Sequence, residues 1–560
     1  MTDFSIEPGD LTTSLATVFS QLDHDRFADA LWTRRADAWS TEYAVKAAIA
    51  ERLGWLDAIQ FVTGQLPHVE KFVQRVRAGA FTDVVLFGMG GSSLAPEVFH
   101  RLFGREDTEP RFRMLDSTDP AAVRDALSRA ASSLFIIASK SGTTIEPNSM
   151  AAAARRRVET AGTKDWAARF VAITDEDTPL HRRAVNDAFF DVFVNPSDIG
   201  GRYSALTLFG VVPAALIGVP LTPLLERARQ MADACRVKSA RDNPGIALGA
   251  LLGAAARQGR NKLTLLLPPR LAPLGLWIEQ LIAESTGKHG TGIVPIAGET
   301  LDAPPGADRV AVAVRLDGVA VDDHVLERMR SARVPLMIID MPHVDGLGAE
   351  FFRWEVATAT AGRLLDINPF DEPNVQEAKD ATRKLLDAYT SHGTLPRPEP
   401  HDTYDGIEVT FSAAAGMTSG LDRFLDLLGP GDYFALLAYL PPDEPMLDRP
   451  LTAIRNHVAV GKPCATMLGY GPRYLHSTGQ LHKGGPNTGV FLIVTAPAPF
   501  DIPVPDAPYS FGLLEMAQAL GDFHSLDRAN RRAVHIHLPD RHPETLTRLG
   551  KLLGISQLQA

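Results

Sequence analysis

Cysteine is almost absent: the chain carries two, Cys235 and Cys464, far apart and outside any metal-ligand spacing. That argues against a disulfide framework and points to a reducing compartment, the cytoplasm. Long apolar runs are missing as well. The most apolar stretch, Ala205 to Gly218, holds Pro213 and two glycines. It falls short of the ~20 residues that a membrane span needs, and it reads as a buried helix. The opening MTDFSIEPGD has neither a basic start nor an apolar core, so no secretory leader is expected. Positive charge is in deficit. A formal net charge of −11 gives no broad grip on nucleic acid or on an anionic membrane. A few local cations and backbone amides can still reverse the field inside one pocket. No metal site or short repeat stands out, and His535 and His537 in HIHLP alternate as structural strand histidines do.

What is present is an ordinary globular balance, 45% hydrophobic and 22% charged, over 560 residues, enough for two or three domains. Residues 1–80 read as helical, with no strand-like run. From Asp83 the runs DVVLFGMG, RFRML, LFIIAS, RFVAIT and FFDVFV alternate with helix-forming stretches. Such alternation predicts a doubly wound α/β domain with a parallel sheet, here 81–260 including a helical extension from 204. A second α/β domain is expected over 261–390, ending in a long helical region interrupted near NPFDEP. The proline-rich segment 391–406 reads as a linker, and 407–560 as a further α/β region.

Two motifs point to phosphate. GMGGSSLAPEVF, 88–99, follows a strand, and its glycines would let backbone amides approach a ligand. SKSGTTIEP, 139–147, places the hydroxyls of Ser139, Ser141, Thr143 and Thr144, with Lys140, around Gly142 where a helix begins. A helix N-terminus favours an anion, and hydroxyls add donors. Simple helix capping is the competing reading; it needs only one of these hydroxyls.

Together these motifs resemble the sugar isomerase (SIS) fold and the glucose-6-phosphate isomerase family. IGGRYSALTLFG (199–210), AESTGK (283–288) and NPFDEPNVQEAK (368–379) are similar to that family's other signatures, in its order. The resemblance implies tandem SIS domains and an aldose–ketose isomerase that needs no cofactor. Its substrate would be a sugar phosphate, held by Gly90, Gly91, Ser92, Ser139, Lys140, Ser141, Thr143 and Thr144. It implies Glu284 as the base, Arg202 as the group that stabilises an enediolate, and Lys379 as an aid to ring opening. Glu279, nearby, reads as a solvent-facing helix glutamate. A ring-opening histidine is expected between base and lysine, but His289, His324 and His343 match nothing there. LHSTGQLHKGGPNTGVFLIV, 475–494, resembles the displaced segment, with His482 assigned the role and His476 second.

The layout resembles the isomerase half of bifunctional transaldolase/phosphoglucose isomerases, and no transaldolase activity is expected. In conventional members the histidine comes from a neighbouring subunit. The region 407–560 would supply it within one chain, so the protein would work as a monomer or a homodimer. Isomerisation of another phosphosugar, such as mannose 6-phosphate, and a non-catalytic SIS sensor remain open alternatives.

Overall fold

The computed structural model describes residues 3–104, 110–302, 305–317, 319, 321–416, 420–462 and 464–555. Among these residues the strands form three sheets. In chain order they are β1 (Phe4–Glu7), β2 (Asp83–Phe87), β3 (Arg111–Leu115), β4 (Ser133–Ala138), β5 (Phe170–Asp175) and β6 (Asp191–Asn195). Next come β7 (Lys262–Leu266), β8 (Val294–Ile296), β9 (Arg309–Leu316) and β10 (Leu336–Met341). The last are β11 (Asp402–Tyr404), β12 (Ile407–Phe411), β13 (Tyr433–Tyr439), β14 (Ala465–Tyr470), β15 (Gly489–Thr495) and β16 (Arg532–His537).

The first sheet is all parallel, in the order β3-β2-β4-β5-β6. Its inner strands DVVLF and SLFIIA are buried throughout, as expected of strands covered by helices on both faces. The second runs β8-β7-β9-β10 in parallel and is extended by antiparallel β1. The third runs β14-β13-β15-β16 in parallel and is extended by antiparallel β12 and β11. All three sheets therefore share one inner order, second-first-third-fourth. That order puts the crevice between the first and third strands of each unit, where crossovers leave in opposite directions.

Two expectations are corrected. The first eighty residues are not purely helical, because FSIE forms β1 and pairs with 336–339. Four residues are too short for periodicity to declare, and the strand exists only because β10 offers it an open edge. The linker is also shorter than read: the helix Pro373–His392 runs into it, and Asp402–Tyr404 pairs with β12.

One apolar core joins the helices of the first eighty residues to the first two sheets. The third unit is packed on both. Its Val504 and Phe511 join the first sheet's Val85, Phe87 and Phe135, and its Tyr433 and Phe491 join Ala283 and Val294 of the second. Among the described residues no helix is long and apolar enough to cross a membrane.

Glu279 is not solvent-facing. It is half-buried on the helix Ala272–Thr286, where its Oε1 accepts the Ala297 N–H at 3.1 Å. Burial pushes its carboxyl up to about 8. The folded chain thus keeps a proton that the unfolded chain releases above ~4.3, so stability is lost as pH rises from that value through the folded pKa. Glu279→Gln removes the titration. Its melting temperature should gain on the parent's between about pH 5 and about pH 8, with the gap widening; a constant gap would contradict this account.

Candidate active site

The crevice between β2 and β4 opens into a cavity of about 500 Å³. One wall is the turn Gly90–Ser92 after β2; another is Ser139, Lys140, Ser141 and Thr144, between β4 and the helix Ile145–Thr160, while Thr143 faces a neighbouring cavity. Glycine is needed where loops meet. Gly90 has φ +55°, and a Cβ there would lie 2.5 Å from the His476 carbonyl oxygen. A Cβ on Gly91 would lie 2.0 Å from the Gly201 carbonyl oxygen. Three segments distant in sequence thus close on one point.

In the second loop Gly142 has φ +66°. The Ser139 and Thr144 hydroxyls lie 3.1 Å apart, and those of Ser141 and Thr143 2.9 Å apart. Thr144 occupies the N-cap position, yet its side chain makes no capping bond. Capping therefore does not explain the hydroxyls, and the first-turn N–H groups face the loop. Lys140 lines the cavity but is engaged: its ammonium binds Asp175 and donates to the Ser197 carbonyl at 2.8 Å. Arg52 also lines the cavity, although no motif marked it.

The floor is a buried charge cluster. Glu284 ends the helix Ala272–Thr286 with 9% exposure; Gln280, one turn earlier, donates to its Oε2 at 3.0 Å. Arg202 Nη1 stands 3.4 Å from the other oxygen. Burial raises the Glu284 carboxyl above its usual range; Arg202 opposes this and Glu372 adds to it. The guanidinium, 2% exposed, donates to Ser285 at 2.7 Å, Glu372 at 2.8 Å, and the Pro369 and Asp371 carbonyls at 2.9 Å. Burial works against its charge, but Glu284 and Glu372 outweigh burial and hold it protonated.

Lys288 of AESTGK pins the same loop through Asp371 Oδ1 at 2.6 Å and the Asn368 carbonyl at 2.8 Å. Burial, with Arg202 beside it, pushes Lys288 down to about 8. Lys379 is exposed on the helix Pro373–His392, at the cavity wall.

The histidine expectation changes. His482 is 1% exposed, bonded to the Tyr433 hydroxyl at 3.1 Å and packed on Phe491, and it does not line the cavity. Burial pushes it well below its usual value, which makes it a neutral core residue. His476 reaches the cavity instead, at the end of the turn Arg473–His476. Its Nε2 lies 2.9 Å from Glu146 Oε1, which also accepts from Gln518 at 2.7 Å. Burial would raise the Glu146 carboxyl, but His476 outweighs it and the group sits below its usual range. Sequence reasoning missed Glu146, although it lies within SKSGTTIEP; its partner is 330 residues away.

Residues 53–305 match the family model described as phosphoglucose isomerase. The chain is 30% identical over 377 residues to a glucose-6-phosphate isomerase of Parasynechococcus marenigrum, spanning 58% of this chain and 68% of that one. This chain belongs to the phosphoglucose isomerase family. A glucose-6-phosphate isomerase of Nostoc punctiforme is 26% identical over 422 residues, covering 66% of this chain and 77% of its own. Two crystal structures share the fold. One is a hypothetical protein of Thermus thermophilus (TM-score 0.58, 23% identity, 69% of this chain and 99% of that chain). The other is a glucose-6-phosphate isomerase of Chlamydia trachomatis (TM-score 0.55, 16% identity, 69% and 88%). The family match takes in both cavity loops, Arg202 and Glu284; Lys379 and His476 lie beyond it.

Gly91→Ala should force the Gly90–Ser92 turn away from the turn that carries Arg202. Isomerase turnover should drop about tenfold or more with secondary structure kept, because small misplacements of reacting groups are costly. Unchanged turnover would mean the two turns need not touch.

Proposed function

We propose that this phosphoglucose isomerase-family chain interconverts glucose 6-phosphate and fructose 6-phosphate through an enediolate. The observation that carries the reading is Glu284, a buried carboxylate of raised pKa, 3.4 Å from the buried Arg202 guanidinium. The pair lies on a cavity walled by a hydroxyl loop at a helix N-terminus. In this reading the loops 88–93 and 139–144 hold the phosphate, with Arg52 nearby. Ring opening breaks the C1–O5 bond; it needs a proton delivered to O5 and one removed from the O1 hydroxyl. His476, oriented by Glu146, and Lys379 take these tasks.

Glu284 then removes the C2 proton, the electron pair becomes a C1=C2 bond, and negative charge develops on O1. Arg202 opposes that charge in a site of restricted solvent, where a fixed cation is most effective. A proton shift from O2 to O1 and return of the carbon-bound proton to C1 complete the ketose. Burial of Glu284 keeps its pKa nearer the working pH, which favours both removal and return. A non-catalytic sensor would have no need of this buried pair.

A coupled assay of fructose 6-phosphate conversion tests the reading. Wild type should turn over, and Glu284→Gln should lose ~10²-fold or more. The base acts ionised, so kcat/KM should rise with pH along an acid limb centred above the ~4.3 of an ordinary glutamate. Equal rates in both proteins would remove Glu284 from the mechanism. His476→Ala should slow turnover by ~10²-fold while His482→Phe keeps it within a few-fold; the reverse order would restore His482 to the role.

The histidine is supplied in cis, so activity should also elute with the monomer on size-exclusion chromatography. Activity confined to a dimer peak would refute self-sufficiency.

A further inference from the structure

A sugar phosphate brings a charge of about −1.5 to −2 into the cavity at neutral pH. The hydroxyls and amides of the two loops donate hydrogen bonds but carry no net charge. Among the described residues, four lysine and arginine side chains line the cavity: Arg52, Lys140, Arg202 and Lys379. Two of them are already balanced. Asp175 binds the Lys140 ammonium, and Glu284 and Glu372 flank the Arg202 guanidinium. Lys379 also lines the neighbouring cavity beside Glu146 and His476, and its charge acts on Glu146. Arg52 makes no ion pair and no side-chain hydrogen bond among the described residues.

Local structure fixes where the Arg52 side chain starts. It lies in the turn between the helix Tyr43–Ala50 and the short helical turn Gly54–Asp57. The Gly54 N–H donates to the Asp198 carbonyl at 3.1 Å, and a Cβ on Gly54 would lie 2.2 Å from Asp198 Oδ1. Glycine allows that approach without moving Asp198. Trp55 is sealed in the core, its ring 5.4 Å from that of Tyr203. The turn is thus clamped to the segment 198–203, which carries Arg202; one residue earlier, the Ser197 carbonyl accepts from Lys140 at 2.8 Å.

Arg52 therefore starts from a fixed point between the hydroxyl loop and the Arg202 cluster. Its charge reaches both: it acts on Asp175, which binds Lys140, and on Glu372, which binds Arg202. The guanidinium is half-buried and free, and its fork of donors matches two phosphate oxygens at once.

We infer that Arg52 is the residue that binds the substrate's phosphate by charge, and that Lys140, the lysine of SKSGTT, braces its loop instead. The inference rests on the isomerase reading above. A charge series at position 52 tests it, read as the KM for fructose 6-phosphate and the competitive inhibition constant of inorganic phosphate. Both constants should rise together, from wild type through Arg52→Lys to Arg52→Gln, and furthest in Arg52→Glu. Arg52→Gln should lose about tenfold or more, the size of a charge-assisted hydrogen bond, while kcat stays within a few-fold. Should that variant not fold, Arg52→Lys carries the series. Constants unchanged in Arg52→Gln, a loss confined to kcat, or Arg52→Lys no better than Arg52→Gln would overturn the inference and leave the isomerase reading standing. A wild type that does not turn over fructose 6-phosphate would sink that reading alone. Arg52 is then judged on the rise in melting temperature that inorganic phosphate gives, expected in wild type and lost in Arg52→Gln. A rise kept by Arg52→Gln, or absent from wild type, overturns the inference.

Discussion

The architecture of the candidate site hangs on one desolvated cation. Arg202 gives its donors to Ser285 and Glu372 and to two carbonyls of the NPFDE loop, with Glu284 at ion-pair distance. Those partners come from the helix that carries Glu284 and from the loop that leads into the helix of Lys379. A buried charge that loses a partner is far costlier than an exposed one, by about 3–5 kcal/mol. Each neighbour of Arg202 is therefore held in place by the guanidinium's need for it. The same demand lets a buried carboxylate and a buried guanidinium face each other at the cavity floor. Arginine suits this because its fork engages several acceptors at once and stays charged.

His476 reaches that site from the third unit, and the third unit is fixed by ionic links to the first. Arg473 grips Asp116 through two bonds of 2.8 Å, three residues before His476. Arg541 binds Asp119 at the same edge of the first sheet. Behind the turn, the Tyr474 hydroxyl donates to Asp522 at 2.6 Å, and Lys483 pairs with the same carboxylate at 2.5 Å. Gln280 closes the arrangement by donating to the His476 carbonyl at 2.9 Å as well as to Glu284. Glu284 and His476 are thus joined by one amide, although 192 residues separate them in the chain.

The first and third units share one inner strand order and differ at the same topological point. The first leaves its helix N-terminus open and lines it with hydroxyls. The third fills the equivalent position with Asp501. Strand order fixes where a crevice forms; a few loop residues decide what charge it accepts.

The sequence alone determined the α/β class, the parallel strands from Asp83 onward, the two glycine- and hydroxyl-bearing loops and the candidates Arg202 and Glu284, but not the antiparallel β11 and β12. These are local matters: buried parallel strands read as apolar runs, and a strand–glycine–helix turn is written in consecutive residues. The four-residue β1 escaped because its pairing edge lies more than three hundred residues away. The choice between His476 and His482 escaped for a related reason. Both sit in one glycine-flanked segment, and only the packing of Phe491 and Tyr433 shows which ring is sealed in the core. Glu146, Gln518 and Arg52 carried no signal of their own, since what recruits each is a partner or a cavity built by other elements. Burial and long-range pairing are sums over the whole folded chain, so the tertiary structure alone decided which polar residues became the site.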